Sequence, residues 1–114
     1  MAKVVRKDQG DVAVVALKGS FFGDAETDDL MKTFNQLVEQ DNHKLVLDFS
    51  GCDAINSLAI SVLMRAHANY AKRAGEIKVC GLDKRIKSTF VMTKLILVFD
   101  HHDTEAQAIA AFAG

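Results

Sequence analysis

Apolar and polar positions recur at two different periods along this chain, and the changes between the periods mark out its elements. Val4 and Val5 open a short strand, separated by the turn residues Gln9-Gly10-Asp11 from the β-branched run Val12 to Leu17. The pair reads as a hairpin. Gly19 to Gly23 breaks the alternation, and Phe21 and Phe22 inside the break are expected to cover the edge of the core. The period then lengthens: Leu30, Met31, Phe34, Leu37 and Val38 keep helical spacing up to about Gln40. Asp24 is placed as their N-cap, and Glu26, Asp28 and Asp29 load the first turn with the charge a helix dipole favours.

The next stretch, KLVLDFSGCDAINSLAISVL from Lys44 to Leu63, is the centre of the pattern. Its dense Leu/Val content over Lys44 to Phe49 suits a buried central strand, which Ser50-Gly51 is expected to end. A helix follows with Leu58, Ala59, Val62, Leu63, Ala66 and Tyr70 on its apolar stripe, Arg65, Asn69, Lys72 and Arg73 largely outside it, and Gly75 at the C′ position. Ile77 and Val79 alternate in a fourth strand ending at Cys80-Gly81. Asp83 caps a helix carrying Ile86, Phe90 and Val91, and Lys94 to Phe99 contains a fifth strand. Asp103 or Thr104 caps a last helix that buries Ala106, Ile109 and Ala110. The order ββαβαβαβα, with crossovers long enough for parallel pairing, predicts one α/β domain over residues 1–114: a mixed, mostly parallel sheet of about five strands with about four helices.

Composition narrows the function. A chain of 114 residues with 49% apolar content supports one core. Its 14 basic and 15 acidic residues nearly cancel, without a long Lys/Arg block, so neither nucleic acid nor an anionic membrane is expected as a partner. No run approaches the roughly 18 apolar residues of a membrane span, the start MAKVVRKDQG lacks the apolar region of a signal peptide, and a cytoplasmic protein is expected. Cys52 and Cys80 lack metal or redox spacing and read as small buried hydrophobes. His43, His67, His101 and His102 show no ligand spacing, and the acidic first turn at Glu26 reads as solvated rather than as a metal site. No metal or cofactor is expected. No nucleophile elbow, phosphate loop or dinucleotide fingerprint is present. Asp48 invites comparison with a response-regulator receiver, but that fold needs an acidic pair after its first strand, and the strand here ends Ala16-Leu17-Lys18-Gly19.

Ser57 stands where the central strand's loop enters the helix. A hydroxyl there lies beside first-turn N–H groups, a favourable place for a phosphate. On residue types alone, Asn56 or Ser57 serves equally as a plain N-cap.

The run Asp48-Phe49-Ser50-Gly51 followed by Ile55-Asn56-Ser57-Leu58-Ala59-Ile60-Ser61 resembles the central motif of the STAS domain, the sulfate transporter and anti-sigma factor antagonist family. Thr93-Lys94-Leu95, Val98-Phe99-Asp100 and Glu105-Ala106 fall where family members carry similar runs. In the family's bacterial anti-sigma factor antagonists the motif usually reads Asp-Ser-Ser/Thr-Gly-Leu-Gly, and a partner anti-sigma factor with serine kinase activity phosphorylates its first serine. Here Asn56 stands in place of the acid, Leu58 of the second hydroxyl, Ala59 of the first glycine and Ser61 of the second. The resemblance implies a non-enzymatic partner-switching module: Ser57 as phosphoacceptor, Asn56, Leu58, Ala59, Ile60 and Ser61 as the partner-binding surface, and a separate serine phosphatase to reset it. A second reading is a STAS scaffold, or the cytosolic STAS subunit of a lipid-transport complex, with no phosphorylation cycle.

Overall fold

The computed structural model describes residues 2–113. Its elements run β1 (Lys3–Gln9), β2 (Val12–Phe21), α1 (Ala25–Glu39), β3 (Lys44–Ile55), α2 (Ser57–Lys72), β4 (Glu76–Cys80), α3 (Lys84–Met92), a 3-10 turn (Leu95–Leu97), β5 (Asp100–His102) and α4 (Glu105–Ala113). The five strands lie in the order β1-β2-β3-β4-β5, antiparallel between β1 and β2 and parallel thereafter. The predicted order and the mixed, mostly parallel sheet are both present.

This strand order dictates where the helices go. Each of the three β-helix-β crossovers steps one strand in the same direction, and crossovers of one hand then place α1, α2 and α3 on the same face. That face holds the main core, in which Leu45, Leu47 and Phe49 of β3 meet Leu30, Phe34, Leu63, Tyr70, Ile86 and Phe90. Only α4, which follows the last strand, is free to cross to the other face. It packs there against β3, β4 and β5, closing a small cluster of Val12, Val14, Val46, Cys80 and Ala108.

Four boundaries differ from the sequence expectation. β3 does not stop at Ser50-Gly51 but runs on to Ile55, and β2 continues through Gly19 to Phe21. Residues Gly19 and Gly51 are absorbed as ladder positions, with Lys18 paired to Gly51 and Gly19 to Cys52, because β3 carries an extra residue at two places where the register shifts. Asp48 is consequently mid-strand, so the receiver-like strand-end aspartate does not exist. Lys94 to Phe99 is not a strand: Lys94 is left-handed, Leu97 N–H bonds the Lys94 carbonyl at 3.1 Å, and Leu95 and Phe99 are buried at helical rather than alternating spacing. The fifth strand is the shorter Asp100–His102.

At the end of α2 the left-handed C′ residue is Ala74, and Gly75 lies one beyond. The Gly75 N–H bonds the Tyr70 carbonyl at 2.8 Å and the Ala74 N–H that of Ala71 at 3.2 Å, closing a Schellman motif. A Cβ on Gly75 would meet the His43 carbonyl oxygen at 3.0 Å, which is why glycine sits there. Thr104 caps α4 reciprocally with Gln107, and the helix buries Ala108 rather than Ala106 or Ala110. Phe21 is fully buried while Phe22, its partner in the expectation, is 48% exposed.

Candidate functional site

At the carboxyl ends of β2 and β3 two helices begin side by side. Asn56 is the N-cap of α2: its Oδ1 accepts from the N–H groups of Leu58 and Ala59, both at 3.1 Å. The same side chain reaches across to the other helix start. Its Nδ2 donates to the Phe22 carbonyl at 2.9 Å, and its backbone N–H to the Phe21 carbonyl at 3.2 Å. One carboxamide therefore fixes both the first turn of α2 and the loop that leads into α1.

Ser57 is the first residue of α2 and is exposed. The ring of open N–H groups expected around it is smaller than the sequence suggested, because Asn56 already takes two of them. Ser57's own N–H is the first-turn donor that the cap leaves over.

Leu58 is 57% exposed and lies over Gly23, where a Cβ would stand 2.4 Å from Leu58 Cδ1. Gly23 also has φ near +97°, a conformation that side chains resist. The loop and the leucine are thus fitted to each other. Ser61 is exposed, with its hydroxyl donating to the Leu58 carbonyl at 2.7 Å, and Ile60 is half-buried against the core. Ala59, placed on the partner-binding surface from the sequence, is fully buried in the main core. Its side chain cannot touch a docked partner, which leaves Asn56, Leu58, Ile60 and Ser61, with Phe22 as an unanticipated apolar neighbour.

The loop itself holds a device that sequence reasoning missed. Asp24 makes no side-chain cap. Instead Glu26 accepts from the N–H groups of Phe22 at 2.9 Å and Asp24 at 3.1 Å and from the Thr27 hydroxyl at 3.0 Å, while Thr27 Oγ1 accepts from the Gly23 N–H at 2.9 Å. The Phe22 N–H is the leading reason that the Glu26 carboxyl is held down to about 2, below its ordinary 4.5. The signal available in the sequence was Glu-Thr just inside a helix start, a variant of reciprocal capping.

On the opposite face of the sheet Asp48 Oδ1 accepts from the Ser50 N–H at 2.9 Å. Burial pushes its pKa up, but the bonds from Ser50, together with Glu105 and Lys18, outweigh this and the carboxyl remains below its ordinary range. It takes no part in the Ser57 surface. Cys52 and Cys80 are buried free thiols, pushed up to about 11 and about 12 by desolvation, and are inert at neutral pH.

The family model for the STAS domain matches residues 3–108. The chain belongs to the STAS domain family. Solved structures agree on the fold of this STAS domain. It is 21% identical to an anti-sigma factor antagonist from Mycobacterium paratuberculosis, at a TM-score of 0.87 with 100% of this chain and 96% of that one covered. It is 13% identical to the Bacillus cell fate determinant SpoIIAA in its phosphorylated form, at a TM-score of 0.74 with 98% and 99% covered. A sulfate transporter family protein from Wolinella succinogenes shares 14% identity at a TM-score of 0.74, with 92% and 87% covered. No curated protein matches the sequence. Among the described residues of this STAS domain no helix is long and apolar enough to cross a membrane.

Proposed function

We propose that this STAS domain is an anti-sigma factor antagonist that works by phosphorylation-controlled partner switching at Ser57. The observation that carries the reading is the exposed Ser57 hydroxyl at the first position of α2, framed by the exposed Leu58 and Phe22 and held by the Asn56 cap. Similarity in fold to antagonists, including SpoIIAA in both its unphosphorylated and phosphorylated forms, supports it. Unphosphorylated, the surface of Asn56, Ser57, Leu58, Ile60 and Ser61 docks an anti-sigma factor with serine kinase activity. The domain has no catalytic chemistry of its own and needs no cofactor.

In the switching step the partner's ATP loses its γ-phosphoryl group: the bond to ADP breaks, a bond to Ser57 Oγ forms, and the hydroxyl proton passes to a base on the partner. The product carries about −1.5 to −2 charges against a surface that had been neutral. The helix N-terminus tolerates this charge, so the domain stays folded while the partner is expelled. A serine phosphatase returns the hydroxyl by hydrolysis. A switch that draws on ATP operates in the cytoplasm, which is where this reading puts the domain.

The second reading, a STAS scaffold or lipid-transport subunit without phosphorylation, draws on the exposed Ser61, whose side chain stands where the family motif has glycine and narrows a kinase's approach. One experiment separates them. Incubated with its kinase-like partner, Mg²⁺ and ATP, the wild-type chain gains one phosphoryl group by mass and Ser57→Ala gains none. The modified form binds the partner at least about tenfold more weakly, a change of about 1.4 kcal/mol. Modification elsewhere, or unchanged affinity after modification of Ser57, overturns partner switching. No modification by a proven partner transfers the assignment to the second reading.

A further inference from the structure

The near-neutral total charge hides an uneven distribution. Residues 84–99 contain Lys84, Arg85, Lys87 and Lys94 and no carboxylate, while the remaining chain holds 10 basic against 15 acidic residues. All four cations are exposed, and none forms an ion pair among the described residues. Between them stand Val91, 55% exposed, and Met92 and Leu97, both 81% exposed. Ile86 and Phe90 anchor α3 to the core, so its opposite side necessarily presents this mixture outward.

The turn after α3 gathers the mixture into one ridge. Lys94 N–H bonds the Val91 carbonyl and Leu97 N–H the Lys94 carbonyl, both at 3.1 Å, holding Val91, Lys94 and Leu97 in two consecutive turns. Lys94 occupies the left-handed C′ position after α3, with φ of 64°, where glycine is the least strained residue. Lysine adopts this conformation at a cost that glycine would not incur. Projecting aliphatic side chains ringed by lysines are the composition that lies on anionic bilayers, whereas lysine is depleted from protein–protein interfaces.

We propose that the outer side of α3 and its following turn is a reversible docking face for an anionic lipid surface, with Met92 and Leu97 entering the headgroup region and Lys84, Arg85, Lys87 and Lys94 facing lipid phosphates. Because a few cations and two aliphatic side chains give only weak adsorption, the attachment is salt-sensitive and reversible. The acidic remainder of the chain orients the domain with this face toward the bilayer.

Flotation with phosphatidylcholine vesicles containing about 30 mol% phosphatidylglycerol tests it. The protein floats with these vesicles at low salt, not with pure phosphatidylcholine, and is released by about 0.5 M salt. Lys87→Glu with Lys94→Glu, and separately Met92→Ser with Leu97→Ser, each lower the bound fraction about tenfold while circular dichroism is unchanged. Lys94→Gly gives the sharpest contrast, raising the thermal midpoint while weakening binding. Ser57→Ala floats like the wild type, so the outcome is independent of the switch. No flotation, equal flotation on neutral vesicles, or indifference to these substitutions overturns the proposal. If vesicles fail to bind while the same substitutions weaken an acidic protein partner, the face is a protein interface and the proposal is likewise overturned.

Discussion

The starts of α1 and α2 lie side by side at the same end of the sheet, yet they are built on opposite plans. At α1 one acid and one hydroxyl of the helix turn back to hold the entering loop, with Glu26 and Thr27 binding the N–H groups of Phe22, Gly23 and Asp24. This start is charged, and its own side chains hold the loop that leads into it. At α2 a neutral cap, Asn56, satisfies Leu58 and Ala59 and ties the turn to its neighbour through Phe22. It leaves one hydroxyl, that of Ser57, facing outward. The contrast teaches what an added charge would meet at each start: an uncharged turn at Ser57, and a carboxylate already in place at the start of α1.

The largest effect is expected where the two starts touch. Gly23→Ala forces a side chain into a φ of +97° and against Leu58, whose Cδ1 lies 2.4 Å from the new Cβ. The exposed tip of Leu58 can swing aside but its Cβ, 3.1 Å away, cannot, and the backbone strain that remains should cost about 2 kcal/mol, read as a lower denaturant midpoint at unchanged slope. Asn56→Ala comes next. It leaves two amides and the Phe22 carbonyl without their partner, for a loss of about 1–2 kcal/mol. A loss in Asn56→Ala no greater than about 0.5 kcal/mol would show that the cap does not couple the two helix starts.

Asn56→Asp sharpens the contrast further, since it restores the acid usual in the family. A carboxylate keeps the bonds to Leu58 and Ala59 and favours the helix dipole by about 0.3–1 kcal/mol, but it cannot donate to the Phe22 carbonyl, 2.9 Å away. The two changes nearly offset, and a net loss below about 1 kcal/mol is expected. Phosphoryl transfer rates on the two proteins then show whether this chain's neutral cap slows the reaction.

Glu26 supplies the pH test. Its folded pKa of about 2 lies below the ordinary 4.5, so the carboxylate's contribution is fully present above about pH 4.5 and is lost as pH falls toward 2. Glu26→Gln should therefore flatten the dependence of the thermal midpoint on pH across that window. Asp100, lowered by its bonds from Lys78 and His102, continues to titrate in the variant, so the flattening is partial.

How far these features can be read from sequence depends on whether local chemistry or a neighbour decides them. Asn56 and Asp83 were legible as caps because a short polar side chain before an apolar stripe has one good local use. Ser50-Gly51 and Gly19 were read as breaks because they carry turn residues, yet pairing with the adjacent strand absorbs them as bulges. Lys94 to Phe99 has strand-forming composition, but β4 pairs instead with Asp100–His102, where Lys78 meets Asp100 at 2.9 Å. The reach of Asn56 to Phe22, 34 positions away, has no local trace at all. The exposed serine was thus visible, and the cross-brace that positions it was not.

The smallest expected stability change is also the most direct test of the proposed switch. Ser57 precedes the amides that the cap engages, and its hydroxyl takes no hydrogen bond among those found in the described residues. Ser57→Ala removes one exposed oxygen from a position that alanine tolerates well, so the unfolding free energy should stay within about 0.5 kcal/mol of wild type. The same substitution should abolish phosphoryl uptake. A loss near that of Asn56→Ala would instead make Ser57 part of the brace, and absent phosphorylation in the variant could then reflect a disordered turn. Measuring thermal midpoint and phosphorylation on the same preparation separates the two, because only a chemical role leaves the first unchanged while removing the second.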